Sequence, residues 1–348
     1  MLIYNILVII LFATFFFSLN DSKLKIINKL SIIIWMLLWF FAANHSLNVG
    51  TDTISYYNQF RFIEHEAQES YNQGLQRGWF FYNYFFFKYF GYDAFMYTCY
   101  FIAFGGLLIF IRKYSPNYVL SLLLFFLLYF YCQSLNIMRQ YIALGLILFA
   151  YTYYWEKRIN LICCIFIAST LHYSAILLLP FCFIDKIKLS SKLVYALIIS
   201  SFVLGFFLQN LSSQIMKSFL FLGGLNEGVE FYLTNSGGER NIFSNLVINI
   251  MFIYTYLLSK NKDDKYLLLY MFFILFKNMF GASGQANRIF IYFQIVSIIV
   301  VPQVYYQIKT LNIIKANTYL LFYLIYSFIF YIKSISANFA EVVPYSLR

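Results

Sequence analysis

Long, solidly apolar runs recur along the whole chain and are separated by short polar breaks. A membrane-crossing helix needs about 20 consecutive apolar residues, with a range of about 17–25. By that measure the pattern predicts spans near 2–19, 31–47, 93–111, 117–135, 139–155, 160–180, 193–211, 242–259, 266–282, 289–307 and 317–335. The apolar run from Trp79 to Phe90 is short for a span and is expected at the membrane interface or as a re-entrant piece. Strands of an outer-membrane barrel would alternate apolar and polar residues, and these runs do not. The expected fold is all-α, a polytopic transmembrane bundle of about 10–12 spans with a re-entrant segment. No fixed-period repeat or Pro/Gly/Ser linker interrupts it, so residues 1–348 read as a single membrane-embedded domain.

Composition strengthens this picture. Of 348 residues, 62% are hydrophobic and 11% charged, and 43 Phe and 33 Tyr dominate the apolar set. A soluble domain is nearer one-quarter charged; this chain cannot cover a globule with polar surface. Mean hydropathy is +0.70. A secreted disulfide domain, a disordered tail and a cytosolic enzyme are excluded. The net charge of +11 is accounted for by loops rather than by nucleic acid, which is not an expected partner. Six short segments (20–30, 112–116, 156–158, 185–192, 260–265 and 308–316) hold 15 Lys/Arg against 5 Asp/Glu. Segments 45–78 and 212–241 hold 4 against 7. The positive-inside rule puts the six in the cytoplasm and the two longer loops outside. Met1 then faces outside, and the first helix is expected to be retained rather than cleaved. Three predicted spans separate residues 116 and 185, although both ends belong in the cytoplasm. One segment between 117 and 184 is therefore expected to re-enter, around Arg139 or His172. The five cysteines lie in apolar runs without a C-x-x-C pair, so neither a metal site nor a disulfide framework is expected.

The charges left outside the topogenic loops carry the candidate chemistry: Lys88, Asp93, Arg139, Lys277, Arg288, Lys333, Glu341 and Arg348. Lys333, Glu341 and Arg348 can snorkel from the final span or its tail. Arg139 lies in Gln133-Ser134-Leu135-Asn136-Ile137-Met138-Arg139-Gln140 between apolar runs. On a continuous helix Asn136, Arg139 and Gln140 share a face. An arginine at mid-span costs about 2.5–3.5 kcal/mol on the insertion scale. It reads either as an anion site in a hydrated cleft or as an interfacial residue reaching for headgroups. Arg288 and Asn287 close the Gly-rich break 281–288, which reads either as an anion cradle at a helix N-terminus or as a plain turn. Lys277 and Asn278 precede it and could face the same cavity. His172 reads as hydrogen-bonded packing or as a base, since its ordinary pKa near neutrality suits proton abstraction from a hydroxyl. The stretch Asn48-Val49-Gly50-Thr51-Asp52, with Arg77-Gly78-Trp79 further on, reads as a sugar-facing surface or, at Gly50, as a simple turn.

Together these residues resemble a known family. Gly50-Thr51-Asp52-Thr53-x-x-Tyr56-Tyr57 follows the second span, and Arg77-Gly78-Trp79 comes next. Then come Asn136-x-x-Arg139-Gln140-x-x-Ala143, Leu171-His172-x-Ser174-Ala175, a late Asn287-Arg288, and Val343-Pro344-Tyr345. Their order and spacing resemble the bacterial O-antigen and exopolysaccharide polymerases of the EpsG/Wzy type, over essentially the whole chain. Gln76 departs from the pattern, where such proteins carry an acid as often as not. The resemblance implies an inner-membrane, multi-pass glycosyltransferase. Such an enzyme moves a growing glycan from undecaprenyl pyrophosphate to a new lipid-linked repeat unit on the periplasmic side. Neither cofactor nor metal is implied; the expected partners are the lipid-linked oligosaccharide, the bilayer and a chain-length regulator. Under this reading Arg139 and Arg288 take the pyrophosphate, with Arg77 as a further candidate for phosphate or sugar. His172 is then the first choice for the base and Asp52 the second, with Asn136, Gln140 and Asn287 in support. A flippase for lipid-linked oligosaccharide and a membrane acyltransferase acting on surface glycan are the competing readings.

Overall fold

The structure is a computed structural model that describes residues 1–64, 77–207, 242–281 and 284–348, with only the backbone described for Asp21 and for residues 284–288. The loop 212–241, expected on the outer side, and Gln76 lie outside the described residues. The described residues form an all-α membrane protein, and its backbone contacts divide it into two compact units. One comprises Met1–Ile176 and Ile314–Arg348, and the other Leu177–Ile313.

The first unit contains α1 (Leu2–Ser18), α2 (Asp21–Ala43), α3 (Thr53–Arg61), α4 (Arg77–Tyr89) and α5 (Gly91–Tyr114). It continues through α6 (Tyr118–Leu127), α7 (Phe130–Asn136), α8 (Met138–Tyr153) and α9 (Arg158–Leu171). The helices start where polar side chains replace missing backbone partners. Asn20 caps α2 by accepting from the Ser22 amide, and Asn117 caps α6 by accepting from the Leu120 amide. The Asn117 amide also donates to Ser18 Oγ at 2.8 Å, and the Tyr118 amide donates to Asn28 Oδ1 at 3.0 Å. The turn before α6 is thereby tied to α1 and α2.

Helices α5 and α8 cross in close backbone contact. A Cβ on Gly106 would collide with the Gly145 main chain. In lipid, where apolar burial drives helix association weakly, such small-residue seams let backbones approach. Trp35 and Trp39 of α2 donate their indole N–H groups to the Phe104 and Tyr97 carbonyls of α5, at 2.7 and 3.0 Å.

The second unit contains α10 (Ser191–Phe207), α11 (Ile242–Leu258), α12 (Lys265–Phe280), α13 (Gly284–Gln294) and α14 (Ser297–Lys309). Asp264 caps α12 through the Tyr266 and Leu267 amides. Inside this unit Asn249 and Asn278 exchange amide hydrogen bonds of 2.7 and 2.9 Å, and Asn278 also donates to Ser201 Oγ at 3.0 Å. Asn278 therefore stitches α10, α11 and α12 together. Its polar group is engaged in packing, where the sequence suggested a shared cavity with Lys277.

The final helix, α15 (Ile313–Ser336), returns the chain to the first unit, where Phe328 meets Phe12 and Tyr331 meets Phe126.

Four described helices are long and apolar enough to cross a membrane: Ser22–Ala43, Gly91–Tyr114, Ile289–Lys309 and Ile313–Ser336. The pair α6 and α7 makes a fifth if taken as one span bent by 58°. The sequence reading counted more because several of its runs, among them those at Leu2–Ser18, Ser191–Phe207 and Ile242–Leu258, form shorter apolar helices, and because it joined two runs across backbone breaks. Run 117–135 is broken at Leu128–Tyr129, where Tyr129 takes φ +70°. Run 160–180 ends as an α-helix at Leu171 and continues as a 3-10 stretch, Tyr173–Lys186, that contains Pro180. The polar segment 20–30, read as a loop, is instead mostly the start of α2. Both irregular stretches begin between 117 and 184, where the charge parity failed.

Candidate functional site

The loop after α2 is built to lie flat on another element. Gly50 has φ +86°, and a Cβ there would stand 2.7 Å from the Leu135 carbonyl and 2.9 Å from Asn136 Cα. Only glycine meets both demands without strain. The next two residues are fixed by one side chain. Asn136 Oδ1 accepts from Thr51 Oγ1 and from the Asp52 amide, each at 2.8 Å. Thr53 Oγ1 donates to the Val49 carbonyl at 2.7 Å and lies 3.2 Å from the Leu135 carbonyl. Asp52 precedes α3, and its carboxylate makes no capping bond to that helix.

Asn136 can serve the loop because α7 ends there. Ile137 takes φ −98°, ψ 52°, and α8 restarts at Met138. The expected single helical face of Asn136, Arg139 and Gln140 is therefore interrupted. Asn136 closes one helix, while Arg139 and Gln140 lie in the first turn of the next. Gln140 is buried and Arg139 half-buried. A cation at a helix N-terminus gains nothing from the helix dipole. The Gln140 and Tyr141 amides of that turn both donate to the Ile137 carbonyl, and the guanidinium places a positive charge there.

The guanidinium lies over the Trp79 ring, 5.0 Å from its centroid, and donates from Nη2 to the Leu171 carbonyl at 3.3 Å. Asp52, Tyr56 and Tyr173 are close enough to act on its charge. Arg139 is thus held among α3, α4 and the end of α9.

Trp79 is buried, with its indole N–H on Gln59 Oε1 at 3.1 Å and Tyr56 edge-on at 5.7 Å. It serves as a seat for Arg139 and is not the exposed sugar platform the sequence suggested. Gly78 packs directly on Thr170, which brings α4 against α9. His172 is the residue at which α9 ends; its Nδ1 is 2.6 Å from Ser174 Oγ, and its ring stacks on Tyr173 at 5.4 Å. That bond orients the imidazole.

The first unit thus brings Asp52, Asn136, Arg139 and the His172 turn to one neighbourhood. Arg77 opens α4 and is exposed. Asn287 and Arg288 are the fourth and fifth residues of α13, in the second unit, and their side chains lie outside the described residues. Among the described residues no cluster of His, Cys, Asp and Glu could hold a metal ion. The second unit also contains an apolar cavity of about 190 Å³, walled by Phe181, Phe276, Phe280, Phe290 and Phe293 with Leu177 and Ile289. Sequence reading missed the seating role of Trp79 and the loop contacts of Thr51 and Thr53. The only hint was the density of hydroxyl and amide residues just after the second span.

The model of the EpsG family matches residues 28–347. The chain belongs to the EpsG family. Comparison with curated proteins and with solved structures yields no match. As an EpsG-family chain it is a multi-pass membrane protein of the polysaccharide-polymerase type.

Proposed function

We propose that the protein is an inner-membrane polysaccharide polymerase whose site faces the periplasm. In the proposed step, an acceptor hydroxyl of a new lipid-linked repeat unit attacks the anomeric carbon of the growing glycan. The bond from that carbon to the pyrophosphate oxygen breaks, and undecaprenyl pyrophosphate departs with the electron pair. The hydroxyl proton passes to a base. The observation that carries this reading is the Arg139 guanidinium, set at a helix N-terminus and held on Trp79 beside the Asp52 loop.

A departing pyrophosphate gains negative charge, and a planar guanidinium answers it with paired N–H donors. Helix amides at the start of α8 add to the same potential. His172, oriented by Ser174, is assigned the proton, with Asp52 as the second choice. Arg77, at the exposed start of α4, is assigned to sugar or phosphate at the rim. Asn136 supports the site by fixing the loop.

The test is the glycan profile of a strain whose own copy is deleted and replaced by variants. Arg139→Ala should leave single exported repeat units and no long polymer. Arg139→Lys, which keeps charge and loses the fork, should give shortened polymer. Long polymer at normal amounts from Arg139→Ala contradicts the assignment. A strain lacking the protein that exports no unit at all supports the flippase reading instead, and unchanged chain length with altered acetyl content supports the acyltransferase.

A further inference from the structure

Residues 338–348 fold back along the ends of α1 and α2 and reach the loop that carries Asp52. The Glu341 carbonyl accepts from the Gly50 amide at 3.0 Å, and the Ser346 carbonyl accepts from the Ser46 amide at 2.9 Å. Between these two bonded residues the chain carries Val49, which is fully buried.

The segment is anchored at many points. Tyr4 of α1 donates to the Val342 carbonyl at 2.9 Å in a buried bond, and Tyr345 donates to the Phe41 carbonyl at 2.7 Å. The Arg348 amide donates to the Asn44 carbonyl at 2.7 Å. The Arg348 guanidinium pairs with Asp93 at 2.8 Å and lies 5.1 Å from the Tyr92 ring centroid. Asn338 closes the turn through paired bonds to the Val343 main chain, and Ala340 and Val342 are buried.

The tail thus holds two loop amides while a buried bond from Tyr4, a half-buried bond from Tyr345 and a surface ion pair from Arg348 hold the tail itself. We infer that residues 338–348 are a positioning strap: they clamp the Gly50–Asp52 loop against Asn136 and so hold Asp52 beside Arg139. This rests on the reading of the Arg139 site given above and adds to it a group of positioning residues, none of which touches substrate.

The experiment uses the full chain with Cys163 and Cys164 replaced by Ser and a reporter, Val49→Cys. A membrane-impermeant maleimide reads the exposure of the reporter, and the glycan profile reads the reaction. In the double variant Tyr345→Phe/Arg348→Ala, labelling should rise about fivefold, the scale of losing one ion pair and one hydrogen bond. Polymer should shorten in step. Buried Cys132 and Cys182 should stay unlabelled, which separates release of the strap from unfolding. Tyr4→Phe with Asp93→Asn, which breaks the same strap from the opposite partners, should reproduce both effects, and the single variant Arg348→Lys, which keeps the ion pair, should match the parent in both.

Unchanged labelling in both double variants overturns the strap, as does faster labelling with unchanged polymer. If Asp52→Asn and Arg139→Ala both polymerise normally, the reading of the site fails instead. The clamp is then judged on labelling alone: a rise supports it and an unchanged rate overturns it.

Discussion

Arg139 presents one face of its guanidinium to Trp79 and spends one N–H on the Leu171 carbonyl. A ring under a guanidinium leaves the in-plane N–H edge directed at oxygen acceptors, which is the edge a phosphate recognises. Trp79→Phe should therefore keep most polymer, because a ring remains. Trp79→Ala should lose about 1–2 kcal/mol of seating and give mainly short chains on a glycan gel. Near the same loop His45 is buried, with Nδ1 2.6 Å from the Ala42 carbonyl and Nε2 3.3 Å from Thr53 Oγ1. Burial, with Arg348 adding to it, holds its pKa down to about 4. The neutral form is the one the fold accepts. Its stabilising contribution is complete above about pH 6.5 and is lost as pH falls through about 4, roughly 3 kcal/mol in all. Thermal unfolding at pH 7 and pH 4.5 should show a larger loss for the parent than for His45→Asn; equal losses contradict the assignment. Arg139 and His172 stand out in the sequence as candidates because a charge and an imidazole lie in apolar surroundings, and Asp52 because it sits in a polar loop. His45 and Trp79 do not, because their roles depend on a carbonyl and a cation brought from elsewhere in the chain.

At the scale of elements, the apolar pattern located nearly every helix, since burial in lipid leaves a strong signature. It could not locate the breaks. The bend at Leu128–Tyr129, the stop at Ile137 and the change to 3-10 geometry after His172 fall inside or beside apolar runs, where hydropathy is blind to φ and ψ. Two of these breaks make the site, because the stop at Ile137 frees Asn136 for the loop and the end of α9 offers the Leu171 carbonyl. Two substitutions separate helix packing from site geometry. Gly106→Val forces α5 from α8 and should cost several kcal/mol, seen as loss of folded protein from the membrane fraction. Gly50→Ala meets both a positive φ and the Leu135 carbonyl, costing about 1–3 kcal/mol locally. Folded protein should persist there while polymer is lost, and normal polymer contradicts the loop's part in the site.

For the molecule as a whole, family membership and a helical membrane architecture meet a positively charged spot fixed by three separate parts of the first unit. Aromatic residues supply much of its framework, with Tyr56, Trp79 and Tyr173 around one guanidinium. Repeat-unit export and repeat-unit polymerisation both need a membrane protein that grips a lipid diphosphate, so the account rests on chemistry at that grip. The most direct measurement is made with the purified protein in lipid vesicles, supplied only with polyprenyl-pyrophosphate-linked repeat units. The account predicts longer lipid-linked glycans, one polyprenyl pyrophosphate released for each repeat joined, and loss of both products with Arg139→Ala. Movement of the unit across the vesicle membrane without elongation, or elongation by Arg139→Ala at the parent rate, contradicts it.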